Sequence, residues 1–310
     1  MPEVSVIIPL FNGERYIAET LRTVFDQTFK DFEVIAVDDG STDSTRDVVA
    51  AFSHKHPVRY VWQPNQERAR ARNMGVDRAE GEYIAFLDQD DCWLPAKLER
   101  QIAAFESAPP QVGVVYARAC YIDQSGNRLP FRYYKKLHSG RITRKLILGN
   151  FVRPSSVVVR RECFERLGGF AEDTVPADDW DLWLRFSSAY EFLLVEEPLV
   201  EYRVHPDQTC RNVDALADAM QRVLVTAFSN PLISSQISSL KRRSYSQAYL
   251  DIALSYYGIS RMPRAREYVL KSLAAYPMQW THRQFWHVLL RSILGNKVRT
   301  VRKMLIRSDR

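Results

Sequence analysis

Cysteine is sparse and scattered in this chain: Cys92, Cys120, Cys163 and Cys210 form no Cys-x-x-Cys pair. That excludes a zinc ribbon or a disulfide-stapled scaffold and fits a reducing cytoplasm. Long apolar runs are also missing, none approaching the ~20 residues of a membrane span. Met1-Pro2-Glu3-Val4 lacks the basic start and apolar stretch of a signal peptide. The expected location is therefore cytoplasmic, with peripheral contact at an inner membrane face as an option. Glycine is scarce where a triphosphate-holding loop would need it. After the first apolar run, Phe11-Asn12-Gly13-Glu14 offers one Gly and an acid, which argues against a nucleotidyltransferase. Acids are scarce at the C-terminal end, where residues 241–310 carry 15 Lys+Arg against 3 Asp+Glu. The remaining 240 residues carry 28 basic and 34 acidic side chains, so the body does not look like a nucleic-acid surface.

What is present fits one large α/β domain with an appendage: 310 residues, 46% hydrophobic and 26% charged. Val4–Leu10 reads as a strand buried on both faces. Asn12-Gly13 turns the chain into a helix whose Ile17, Leu21, Val24 and Phe25 form one stripe. Glu33–Val37 is a second strand, ending in Asp38-Asp39-Gly40-Ser41-Thr42-Asp43, with capping residues for the next helix. Arg59–Trp62 is a third strand. A helix around Ala69–Ala79 leads into a fourth, Tyr83–Leu87. The order βαβαβαβ predicts a mostly parallel sheet with helices on both faces, and such sheets bind ligands at strand C-termini. Asn12, Asp38, Asp39 and Asp88–Asp91 all lie at such ends and should converge. From 96 to 210 the pattern is mixed: a helix Lys97–Glu106, a strand Val112–Tyr116, a hairpin or loop Asp123–Tyr134, a strand Ser156–Val159 and a helix from Asp181 onward. From 213 it is helical.

The acidic run Asp88-Gln89-Asp90-Asp91 carries the chemistry. Clustered carboxylates at a strand mouth repel one another, and they are stabilised by a hard divalent cation, Mg²⁺ or Mn²⁺, which takes oxygen ligands and brings phosphate with it. An acidic turn in water is the plain alternative.

These segments resemble the family 2 glycosyltransferases. The resemblance rests on Val4–Gly13 (VSVIIPLFNG), Val37–Thr45 (VDDGSTDST), Ala71-Arg72-Asn73 with Gly81-Glu82-Tyr83, and Asp88–Asp91 with Trp93-Leu94-Pro95. Asp178-Asp179-Trp180-Asp181-Leu182-Trp183-Leu184-Arg185 resembles the family's acidic base motif, and Tyr202-Arg203-Val204-His205-Pro206 the segment closing its catalytic domain. The match covers residues 3–210, with motifs in family order. It implies a GT-A fold, an α/β Rossmann-like nucleotide half (1–95) joined to an acceptor half (96–212), and metal-dependent, inverting transfer from a nucleotide sugar to a saccharide or lipid-linked saccharide. By resemblance Asp90 and Asp88 serve the metal, Asp88 also the ribose, and His205 completes the metal or diphosphate site. Asp179 is the general base. Asp178 stands where the family usually carries Glu, its arm shorter by ~1.5 Å. Pro9, Phe11, Glu14 and Asp39 are placed at the base and ribose. Phe11 can pack on a nucleobase, and Asp39 can accept from a ring N–H, which favours UDP or dTDP. Arg72 can pair with the diphosphate. Where the family commonly has Gly, two residues after Asn65, this chain has Glu67, with Arg68 and Arg70 close by.

Several residues keep two readings. Asp91 either backs the metal site or caps the helix starting near Pro95. Asp181 reads as a helix cap. Trp180 and Trp183, at i, i+3, read as core, with stacking on an acceptor sugar as the alternative. Ala248, Ala253 and Tyr256, then Ala265 and Tyr268, have the spacing of a tetratricopeptide-like hairpin, or simply a helical extension, within a basic helical region 213–310. Residues 285–307 read as a basic amphipathic helix that meets a membrane or packs on the body. A catalytically silent sugar-nucleotide-binding scaffold, acting through this tail, is the alternative to an enzyme.

Overall fold

In a computed structural model, which describes residues 1–130, 136–206, 212–281 and 283–294, eight strands form one sheet in the order Val58–Gln63 (β3), Phe32–Asp39 (β2), Val4–Leu10 (β1), Tyr83–Phe86 (β4), Val157–Arg160 (β7), Val112–Ile122 (β6), Glu191–Arg203 (β8) and Cys92–Trp93 (β5). The first half is β1 (Val4–Leu10), β2 (Phe32–Asp39), β3 (Val58–Gln63) and β4 (Tyr83–Phe86), all parallel. Their connections are α1 (Ile17–Phe25), α2 (Thr45–Ser53) and α3 (Glu67–Asp77). The second half is β5 (Cys92–Trp93), β6 (Val112–Ile122), β7 (Val157–Arg160) and β8 (Glu191–Arg203), with helices α4 (Lys97–Ser107), α5 (Thr143–Leu146), α6 (Arg161–Leu167) and α7 (Asp178–Ala189). Here β7 runs antiparallel to β4 and β6, while β8 runs parallel to β6. The mostly parallel expectation thus holds for the first half, and the second half is mixed.

β1 is buried along its whole length. Val6 and Ile8 face one core, with Leu21, Val24 and Leu98, and Ile7 faces the other, with Phe86, Val114 and Trp183. A Cβ on Gly75 would meet Ile7 at 2.4 Å. That glycine lets α3 lie directly on β1, which sets Arg72, one turn earlier, over the strand ends. β8 is unanticipated by the sequence pattern. Its EFLLVEEPLVEYR does not alternate cleanly, and Pro198 sits where the β6–β8 register shifts, a bulge that tolerates a residue without an N–H.

Beyond the sheet lie α8 (Val213–Ser229), α9 (Pro231–Ile237), α10 (Lys241–Gly258), α11 (Met262–Ala275) and α12 (Arg283–Leu294). α10 and α11 pack through Ala248, Ala253 and Tyr256 against Ala265, Tyr268 and Val269, and these join the same core as Trp183. In α12, Phe285 and Val288 are buried in that core as well. The apolar stripe expected over 285–307 is therefore packed on protein at Phe285, Val288 and Leu289, and residues 295–307 lie outside the described part. No described helix is long and apolar enough to cross a membrane.

Candidate active site

Two of the acids, Asp88 and Asp179, line one cavity of about 190 Å³. Arg68 and Arg72 from α3, Asp88 after β4, Asn150, Arg153 and Pro154 from the loop before β7, Asp179 from α7 and Tyr202 from β8 are among the residues that line it.

At one side stand Asp178 and Asp179, opening α7. Asp178 is fully buried. It accepts from Arg68 Nε and Nη2 at 3.0 and 2.7 Å, and from Arg72 Nη1 at 2.8 Å. Burial alone would raise its carboxyl; the two guanidinium groups outweigh that and hold it below the usual value. Asp179 lies beside this fixed charge. Burial first, then the Asp178 charge, push its carboxyl up to about 6, against the pull of Arg68 and Arg72. Its Oδ1 accepts from the Trp180 amide at 2.9 Å and its Oδ2 from Asn150 Nδ2 at 2.8 Å. Two adjacent carboxylates whose environments drive them apart are the mark of an acid–base site.

At the other side is the turn Asp88–Asp91. Arg72 also reaches it, donating from Nη2 to Asp88 Oδ1 at 2.6 Å, so one buried guanidinium spans both acidic clusters. Asp90 meets His205 Nε2 at 2.7 Å. Among the described residues no group of three or more His, Cys, Asp or Glu could hold a metal ion. The Asp90–His205 pair, with Asp88 two residues away in the same turn, nevertheless suits Mg²⁺ or Mn²⁺, which bind through one or two carboxylates and complete their shell with substrate phosphates and water. The turn is pinned from β8: Arg203, itself buried, donates from Nε to the Asp90 carbonyl at 2.8 Å and from Nη2 to Glu19 at 2.7 Å.

Asp91 does not cap a helix. It is fully buried and accepts from the Arg203 amide at 2.9 Å and the Ser155 hydroxyl at 2.5 Å, while α4 starts after Ala96. Burial, then the charges of Asp90 and Asp88, raise its carboxyl well above the ordinary value. Asp181 is likewise not the cap, since Ala177 occupies that position; it pairs with Arg185, one turn on, at 2.8 Å. Trp180 and Trp183 are both buried, and the Trp180 indole donates to the Leu146 carbonyl at 2.8 Å, so both are core.

The nucleotide end is less uniform. β1 and β2 are in register with Leu10 opposite Asp38, which sets Phe11 near Asp39 at the strand mouth. Phe11 is half exposed. Its amide and carbonyl are both held by the Gln89 side chain at 2.9 Å, which ties β1 to the acidic turn. Asp39 Oδ1 accepts from Gln63 at 2.6 Å and from the Gln66 amide at 2.8 Å. Pro9 is buried within β1. Glu14 is spent on the Ser44 amide at the start of α2, at 2.9 Å. Asn12 likewise accepts from the Thr42 amide at 2.8 Å, so both brace the loop after β2. Glu67 adopts a φ of 71°, the left-handed region, which gives a physical reason for glycine at that position.

The sequence reading missed Asn150 and Ser155. Gly149-Asn150 carries only a turn signal, and Ser155 sits 64 residues from its partner Asp91.

The sequence profile of the family described as "Glycosyl transferase family 2" matches residues 5–168. This chain belongs to that family. An uncharacterized glycosyltransferase of Rickettsia typhi is 31% identical over 213 residues, 67% of this chain and 66% of that protein. The amylovoran biosynthesis glycosyltransferase AmsB of Erwinia amylovora is 29% identical over 210 residues, 64% of this chain and 69% of its own length. The match spans slightly under two thirds of the Rickettsia typhi protein. The mannosyltransferase PcManGT of Pyrobaculum calidifontis, solved with GDP-Man and Mn²⁺, superposes with a TM-score of 0.66 at 20% identity, covering 97% of this chain and 87% of that one. S. aureus TarS residues 1–349, solved with UDP-GlcNAc, gives 0.66 at 18%, covering 88% and 81%. Both likenesses speak to the fold, the GT-A type expected from the sequence.

Proposed function

We propose that the protein transfers a sugar from a nucleotide diphosphate sugar to a hydroxyl of a saccharide or lipid-linked saccharide, with inversion at the anomeric carbon. The observation that carries this is one cavity lined by both Asp179 and Asp88. Asp179, raised to about 6, is ionised at neutral pH yet basic enough to take the acceptor proton. Asp90 and His205, with Asp88 beside them, would hold Mn²⁺ or Mg²⁺. Such an ion supplies positive charge where the leaving diphosphate develops its negative charge. Arg72 supports the same end, already aimed at Asp88. Asp178 is given a holding role: paired with two arginines, it fixes the charge beside the base.

Phe11 and Asp39 are assigned to the nucleobase. With Asp39 Oδ1 taken by Gln63 and Gln66, Oδ2 is the acceptor offered to a ring N–H, as on uracil or thymine. Pro9 and Glu14 act on this pocket through the backbone they hold. AmsB, named for amylovoran biosynthesis, makes polysaccharide synthesis a reasonable setting. A peripheral membrane contact would rest on the exposed Trp280, Trp286 and Leu290 of the basic C-terminal region rather than on Phe285 and Val288.

The test is calorimetric binding and hydrolysis of UDP-, dTDP- and GDP-sugars, each with Mn²⁺ and with EDTA. Metal-dependent binding of one nucleotide class with slow sugar release is expected. Binding without any turnover would favour the scaffold. Flotation of the chain with anionic vesicles, against a Trp280→Ala/Trp286→Ala variant, tests the membrane contact.

A further inference from the structure

The loop between α5 and β7 reaches the base from outside its own helix. Asn150 is the residue that makes contact, its Nδ2 at 2.8 Å from Asp179 Oδ2. The amide cannot be turned over without loss, because its Oδ1 accepts from the Val152 N–H at 3.0 Å. The backbone of the loop therefore dictates that Asn150 presents a donor, not an acceptor, to Asp179. The other carboxylate oxygen is fixed by the Trp180 amide. The two bonds together fix the carboxylate plane, leaving its remaining lone pairs for the cavity that Asn150 and Asp179 both line.

We propose that Asn150 is a positioning residue for sugar transfer: it holds Asp179 Oδ2 so that the carboxylate faces the acceptor hydroxyl, and thereby links the conformation of the loop before β7 to the base. This inference rests on Asp179 being the base.

The donor also stabilises the ionised carboxylate, so Asn150 works against the groups that raise it. The charged groups around Asp179 are Asp178 on α7, Arg68 and Arg72 on α3, Asp88 after β4 and Arg153 on the loop before β7. Asp178, Arg68 and Arg72 hold one another in ion pairs. Asn150 is therefore the neutral contact whose loss leaves the charges around the base in place.

The experiment follows the Asp179 carboxyl directly by ¹³C-carboxyl aspartate NMR, with its signal assigned by disappearance in Asp179→Asn. Wild type is compared with Asn150→Ala, Asn150→Asp and the donor-retaining Asn150→Gln. The same proteins are assayed for Mn²⁺-dependent hydrolysis of UDP-GlcNAc and GDP-mannose, and their melting curves are recorded. Asn150→Ala is expected to move the Asp179 midpoint upward by half a unit or more and to slow hydrolysis at least tenfold, with the acid limb of the pH profile shifted the same way. Asn150→Asp should move it further, because two carboxylates at hydrogen-bond distance share a proton. Asn150→Gln should recover part of both effects. An Asp179 midpoint unchanged in Asn150→Ala, in a protein that melts as wild type, overturns the inference even if neither sugar is hydrolysed. Full turnover in Asp179→Asn would instead overturn the assignment of the base itself.

Discussion

The molecule buries two aspartates, Asp91 and Asp178, beside the two proposed to act and treats them oppositely. Asp91 ends the acidic turn Asp88–Asp91 and is held by neutral donors, the Ser155 hydroxyl and the Arg203 amide. Asp178 adjoins Asp179, the proposed base, and is held by two guanidinium groups. Both have no exposed surface, yet one carboxyl is pushed up and the other down. Burial is common to both, so the partners decide the sign. The consequence differs as well. A firmly ionised Asp178 is a fixed negative charge that helps to lift its neighbour Asp179. Asp91 shapes the turn through its bonds to β8 and the β7 loop, and its charge is incidental to that task.

The sharpest way to break this comparison is at Asp179, the proposed base. Asp179→Asn keeps the shape and removes the proton acceptor, so turnover should fall by about 10³-fold, within the range of general-base contributions, with donor binding unchanged by calorimetry. The pH profile carries the same information. Asp179 must be ionised to act, so turnover should rise about tenfold per pH unit up to a midpoint near 6 and then level off. A midpoint near 4 would mean that Asp178 and burial do not lift it.

Next in size is Arg72, which is 1% exposed and holds Asp88 and Asp178 at once. Arg72→Met leaves buried acid without one of its cations and should cost about 3–5 kcal/mol, as breaking a buried pair does, read by urea unfolding. Adding Asp178→Asn should recover part of that loss. A double variant no better than the single one would show that the arginine acts through packing on Phe170, 5.2 Å from its ring, rather than through charge.

The third test sets the two buried acids side by side. Asp91→Asn keeps an acceptor for the Arg203 amide and should cost about 1 kcal/mol, the scale of one altered hydrogen bond. Asp178→Asn faces two guanidinium groups with a neutral amide and should cost about 3 kcal/mol. Acid titration adds the sign. The folded-state value of Asp178 is depressed, so its contribution is intact above the unfolded carboxylate value of about 3.9. It is lost only as pH falls through the lower folded value. In Asp178→Asn that part of the acid transition should vanish.

The parallel half of the sheet was legible because β1 and β2 are runs of buried apolar residues that end abruptly in polar ones, and a parallel sheet gathers such ends on one edge. The same logic put Asp88 and Asp90 at a strand end, while Asp179, at the start of α7, was found only through the family resemblance. Asp181 was misread as a cap, and capping was left open for Asp91, because an acid near a helix start looks alike whether it caps the backbone or meets another partner. Arg185 lies at i+4 from Asp181 and could have been counted. Arg203 is 112 residues from Asp91, and only the closed sheet brings them together. Asn150 was invisible for a similar reason: its local signal is a turn, and its partner lies 29 residues on.

The smallest expected effect concerns Glu67, at the start of the helix that carries Arg68 and Arg72. With φ at 71° it occupies a region that costs a side chain roughly 1–2 kcal/mol. Glu67→Gly removes that cost but adds freedom to the unfolded chain. The net gain should be about 0.5 kcal/mol, a rise in Tm of roughly 1–2 °C for a chain of this size. Arg68 and Arg72 pin α3 to Asp178 in either case, so the base should keep its pH midpoint. A fall in Tm would mean that the Glu67 carboxylate, an acid in the first turn of α3, offsets its own backbone through the helix dipole. A shifted midpoint would mean that the strain at Glu67 helps to set where Arg68 meets Asp178, and the two acidic clusters would then be coupled through the backbone of α3 as well as through Arg72.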